Sequence, residues 1–258
     1  MDPGIRTPLV DSFRRGEVAR DVRLLAARGE MAPRGLEQLA LLLLLTDDAD
    51  AEVQAAAATT IERIPRPGLE RLAARTDVPG EMRTWLDGRG IVPASAAAET
   101  EEALLEVEDG LPGDGADAAA APTTPPVSTL TVMQKMKLAM RGTREQRALL
   151  IRDPNRLVAS AVLSSPKLTE NEVEGFARMA NVSEEVLRVI GSNRSWVKNY
   201  AVAANLVRNP KTPIALSLQL LNRLTERDVK MLTTDRNVPE PLRIAARKKV
   251  SEKASARR

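Results

Sequence analysis

Apolar positions recur along most of the chain at the spacing of one helix face. In "SEEVLRVIGSN" (183–193), Val186, Val189 and Ile190 fall at i, i+3 and i+4. In "TPIALSLQLLNRL" (212–224), Ile214, Leu218 and Leu221 fall at i, i+4 and i+7. A period of about 3.6 residues collects such positions on one stripe, so each stretch predicts an amphipathic helix. Further helices are predicted over "SWVKNYAVAANLVR" (195–208) and "TERDVKMLTTDR" (225–236). Near the N-terminus, "PRGLEQLALLLLLTDDADAEVQAAAATTIERIP" (33–65) predicts a helix, an acidic corner and a second helix, a plan repeated in "PGLERLAARTDVPGEMRTWLDG" (67–88). The longest apolar run, Leu39 to Leu45, is far short of the roughly 20 residues that cross a bilayer and predicts a buried helix.

The helices repeat. Asp153, Asn181, Asn209 and Asn237 stand 28 residues apart, each followed by Pro or Val, and five positions on come Val158, Val186, Ile214 and Leu242. A fixed period in this range is the signature of a helical array. The repeated Asn or Asp falls at a helix-to-helix corner, where it can cap the next helix or take a left-handed turn. Thr212 ahead of Pro213 predicts a cap, and the spacings Asn181–Glu184 and Asn237–Glu240 predict capping boxes.

The stretch "DDADAEVQAAAATTIERI" (47–64), with Asp in the turn and a Val-x-x-x-Ala helix after it, resembles a HEAT-type repeat. The 28-residue units are shorter than usual HEAT repeats and are similar to the compact repeats of bacterial leucine-rich-repeat-variant proteins, without the cysteine cluster some of those carry. With "SWVKNYAV" and "VRNPKTP", both ends of the chain resemble a bacterial family of HEAT-like proteins whose motifs specify fold rather than activity. The resemblance implies an all-α protein of two HEAT-like α-solenoid modules and a role as a binding scaffold.

Composition narrows the chemistry. The chain has no Cys and no His and only five aromatic residues in 258, so its cores are built from aliphatic side chains. That removes thiolate nucleophiles, His-based general bases, and Cys- or His-ligated metals. No Gly-rich phosphate loop is present, and nothing sets a Ser beside a Lys in a cleft. Asp47, Asp48 and Asp50 suit a helix-capping corner or, less simply, a Mg²⁺ site. No catalytic, cofactor or metal site is predicted. The start "MDPGIRTPLV" has no signal pattern, which points to a soluble cytoplasmic protein.

Charge divides the chain. Residues 1–90 carry 13 basic and 15 acidic side chains, 91–130 carry eight acidic and none basic, and 131–258 carry 25 basic and 12 acidic. The middle segment is rich in Ala, Pro, Gly and Thr and reads as an acidic tether between an N-terminal module (1–90) and a basic C-terminal module (131–258). Within it, a short acidic helix with Leu104, Leu105 and Val107 exposed is one expectation, and shielding of Arg152, Arg208 and Arg236 by its acids is another.

Arg152, Arg208 and Arg236 precede the repeated corners, and Lys167, Arg194 and Arg223 stand at the opposite ones. In a stacked array, equivalent positions step by about 10 Å along one edge. The six form either an anion-binding edge or a set of solvated helix-end cations. Trp196 and Tyr200, four residues apart on one predicted helix, form a recognition patch or fill space between repeats. The sequence therefore points to a non-enzymatic adaptor for a protein partner, an acidic one if the basic edge is used, without membrane insertion. Nucleic-acid binding through 131–258 is the alternative.

Overall fold

The computed structural model describes residues 3–31, 33–94, 103–105 and 127–255. Among them every regular element is helical, as the periodicity predicts, and no helix is long and apolar enough to cross a membrane. The chain forms two compact units, Met1–Leu168 and Thr169–Arg258.

The first unit holds α1 (Pro8–Arg14), α2 (Arg20–Ala27), α3 (Gly35–Leu45), α4 (Ala51–Glu62), α5 (Arg66–Ala73) and α6 (Gly80–Gly88). After a 3-10 turn at Val127–Thr129 come α7 (Val132–Arg141), α8 (Arg144–Leu150) and α9 (Arg156–Leu163). The apolar run lies in α3, which is buried almost all round and packs on α1, α2 and α4. A helix apolar on every side is stable only when surrounded.

Helices from both sides of 91–130 share this unit, because α9 packs on α1 and α7 on α2. The seam is polar as well as apolar. Arg34 N–H donates to Ser164 O (3.2 Å), Ser164 Oγ donates to Glu37 Oε1 (3.2 Å), and Lys137 Nζ lies 2.6 Å from Glu30 Oε2. The segment 131–168 thus belongs to the first unit. Counted by unit, the chain carries 21 basic and 25 acidic side chains in 1–168, and 17 basic and 10 acidic in 169–258. The concentration of positive charge expected over 131–258 is therefore shared between the two.

The second unit holds α10 (Glu170–Arg178), α11 (Glu184–Ser192), α12 (Arg194–Lys198), α13 (Tyr200–Arg208), α14 (Ile214–Leu221), α15 (Glu226–Leu232) and α16 (Glu240–Ser255). Its core centres on α13, which packs on α10 and α14, while α16 packs on α14 and α15. The helix predicted over 195–208 is two helices. Asn199 is extended (φ −66°, ψ 119°) and its Oδ1 accepts from Ala201 N–H at 2.9 Å, capping α13 and ending α12.

The corners work through short side-chain turns. Outside glycine, no described residue has positive φ, so the repeated Asn and Asp are not left-handed. In the first unit one arrangement occurs twice. Asp48 accepts from Asp50 N–H (2.9 Å), Asp50 accepts from the first N–H groups of α4, and Arg23 of α2 lies 2.9 Å from Asp48. Asp153 accepts from Asn155 N–H (2.8 Å), Asn155 caps α9 through Leu157 N–H (2.9 Å), and Lys135 of α7 lies 2.7 Å from Asp153. Each helix entrance has one or two of its orphan N–H groups satisfied by the cap and is tied by a cation to the helix two before it.

Several predicted start signals are corrected. Ser183, not Asn181, caps α11, and Glu184 pairs with Arg188 at 2.7 Å. Glu240 pairs with Arg243, while Asn237 N–H donates to Asp235. The N-cap of α14 is Pro213, and the buried Thr212 hydroxyl has no hydrogen-bond partner among the described residues. True capping boxes occur at Thr131–Gln134, Thr143–Gln146 and Thr169–Glu172. In the tether, Ala103–Leu105 is not helical and is half-buried rather than exposed, whereas Val107 and the remaining acids lie outside the described residues.

Candidate interaction surface

The six basic positions divide by environment. Arg152 and Lys167 belong to the first unit and Arg194, Arg208, Arg223 and Arg236 to the second. Five are exposed and have no side-chain partner among the described residues. Arg208 differs, being half-buried with Nη2 2.5 Å from Asp228 Oδ1. The tether acids expected to shield Arg152, Arg208 and Arg236 lie outside the described residues.

Around Asp228 a polar clasp joins α13 to α15. The Tyr200 hydroxyl donates to the Asp228 carboxylate and accepts from Thr225 N–H at 3.1 Å. Thr225 Oγ1 donates to Asp228 Oδ2 (2.8 Å) and accepts from Asp228 N–H (3.3 Å), so the same threonine caps α15. The Tyr200 hydrogen bond, helped by Thr225 and the charge of Arg208, holds the Asp228 carboxyl below the usual carboxylate range. A carboxylate so fully engaged fastens two helices, and its lowered basicity makes it a poor proton acceptor.

A lowered folded-state pKa means that the ionised form stabilises the fold above the unfolded value near 3.9, and that this contribution fades as pH falls through the folded value. Asp228→Asn is therefore expected to lose on the order of 1 kcal/mol at pH 7. The difference from wild type should close as the pH drops below about 4. Urea titrations of both proteins across that range check it; a pH-independent difference would show that the charge contributes nothing.

Trp196 and Tyr200 are separated by the break at Asn199. Trp196 of α12 is buried and Tyr200 of α13 is exposed, with its hydroxyl committed to the clasp. The single-face patch expected from their spacing is not formed.

Sequence reasoning passed over a set of exposed apolar side chains on consecutive helices of the second unit. Ile214 and Leu218 of α14, Met231 of α15 and Ile244 of α16 retain between 37% and 56% of their accessible surface. Read as core by their helical spacing, Ile214 and Leu218 are instead exposed, while Leu220 and Leu221 turn inward. Arg223 and Arg236 lie in the loops flanking α15.

The corner acids Asp48 and Asp50 are engaged by the protein itself. Asp50 caps α4 and is bonded to Arg20, whose guanidinium holds its carboxyl below the usual range, and Asp48 faces Arg23. No group of acidic residues suited to a metal ion occurs among the described residues. Comparison of the chain with protein families, curated proteins and solved structures yields no match.

Proposed function

We propose that the chain is a non-enzymatic helical-repeat scaffold that binds a protein partner through its second unit. The observation that carries this reading is the exposure of Ile214, Leu218, Met231 and Ile244 on α14–α16, with Arg223 and Arg236, which have no side-chain partner among the described residues, beside them in the chain. Apolar contacts edged by arginine are the composition of a protein interface, and arginines without an internal partner suit an acidic one. The 28-residue spacing and the twice-built corner support a HEAT-like α-solenoid arrangement, in which the protein would act as a cytoplasmic adaptor.

A tagged full-length chain is expected to retain a stoichiometric protein from extracts of its source cells, and Met231→Ser with Ile244→Ser to lose it without change in helicity or melting. Retention by the double variant would remove the second unit as the binding face.

Arg194, Arg223 and Arg236, exposed and without a side-chain partner among the described residues, favour nucleic acid as the second reading. Three phosphate contacts would weaken duplex binding about 40-fold between about 50 and about 200 mM salt. No binding at the lower concentration ends that reading.

A further inference from the structure

Gln38 is a polar residue near the start of the largely apolar α3, and only 2% of it is accessible. Two of its three side-chain bonds go to one residue 67 positions away. Gln38 Oε1 accepts from Leu105 N–H at 3.0 Å, while Gln38 Nε2 donates to Leu105 O at 3.2 Å and to Met31 O at 3.2 Å. A glutamine amide has the donor and acceptor geometry of a peptide group, so this pairing reproduces one rung of a strand ladder without a strand.

Each flanking leucine lies against a glycine, at a distance where an added Cβ would be in ordinary van der Waals contact with it. A Cβ on Gly29, which closes α2 at φ 73°, would lie 3.4 Å from Leu105 Cδ1 and 3.0 Å from Thr60 Cγ2. A Cβ on Gly68 in α5 would lie 3.5 Å from Leu104 Cδ2. The cleft therefore offers main-chain recognition from Gln38 and one glycine-floored seat for each leucine.

We infer that this cleft is a peptide-docking site for an extended segment with two consecutive leucines, occupied in cis by Ala103–Leu105 and open to such a segment of a partner protein. Main-chain pairing by a fixed amide is blind to the chain that supplies the backbone, and the two seats set the side-chain requirement. Nothing in the pairing depends on the covalent link to α3. The link supplies only a local concentration, near millimolar for a flexible connection. Against a free peptide of about 100 μM intrinsic affinity, such a cis occupant lowers apparent affinity about tenfold. The site lies in the first unit and is independent of the interface proposed for the second.

The test uses the full-length chain and a labelled peptide of residues 99–109, ETEEALLEVED. With the cis occupant disabled by Leu104→Ser and Leu105→Ser, and helicity unchanged, the peptide is expected to bind about tenfold more tightly than to wild type. N-methylation of the peptide at the amide matching Leu105 is expected to abolish binding, because it removes the hydrogen that Gln38 Oε1 accepts. Methylation at the amide matching Glu101 is not. Equal affinity of wild type and variant would overturn cis occupancy, and no binding by the variant would overturn the site. Binding indifferent to the Leu105-type methyl would overturn recognition by Gln38. The methylated peptides leave the protein untouched, so their outcomes are not confused with misfolding, and unchanged helicity guards the comparison with the variant.

Discussion

Truncating Leu42 to alanine is expected to cost about 2–5 kcal/mol, seen as a lowered urea midpoint with little change in slope. Leu42 has no accessible surface, and α3 is enclosed by α1, α2 and α4, so neighbouring helices cannot all move in to refill the space. Leu218→Ala on α14 is the comparison, because Leu218 keeps 37% of its surface. It should cost less than about 1 kcal/mol. If the two variants melt alike, α3 is not the centre of its unit.

The second large effect is expected at Asn209, which is buried and makes three side-chain bonds. Its Nδ2 donates to Ala177 O (2.8 Å) and Met179 O (3.0 Å), and its Oδ1 accepts from Lys211 N–H (3.0 Å). The first two bonds tie the end of α13 to the end of α10. Asn209→Ala leaves those carbonyls without their donor, the Ala177 one in a buried site, at a cost of about 2–4 kcal/mol. Asn181, 28 residues earlier in the same register, is exposed with no side-chain bond among the described residues. Its alanine variant should stay within about 0.5 kcal/mol of wild type. Equal losses at both would mean that sequence period, not packing, sets the role.

That contrast shows what the sequence discloses. Periodicity located most of the helices, because a 3.6-residue stripe is a local property, and "LALLLLL" marked a buried element. The same alignment could not tell Asn209 from Asn181, since what separates them is the distant end of α10. The break between Trp196 and Tyr200 was legible in principle. Asn199 sits two residues before the N–H it accepts, as Asn155 does before α9. The apolar spacing on either side concealed it.

The unit boundary left no local trace. Arg34, Glu37 and Ser164 meet across more than a hundred residues, and the acidic segment between them suggested separation where α1 and α2 pack on α9 and α7. For the leucine pair, the available signal was Gln38 itself, a side chain too polar for its helix. Its partner was not predictable, because backbone recognition writes nothing into the recognised sequence.

The paired corners of the first unit show how much substitution such a joint tolerates. The tie to the earlier helix is Arg23 in one and Lys135 in the other, the cap is Asp50 in one and Asn155 in the other, and only the central acid, Asp48 and Asp153, keeps its identity. With no left-handed residue, the joint demands no glycine. Two of its three side chains can be exchanged for chemical relatives while the cap and the tie both persist, so the letters at such a corner are freer than the bonds they make.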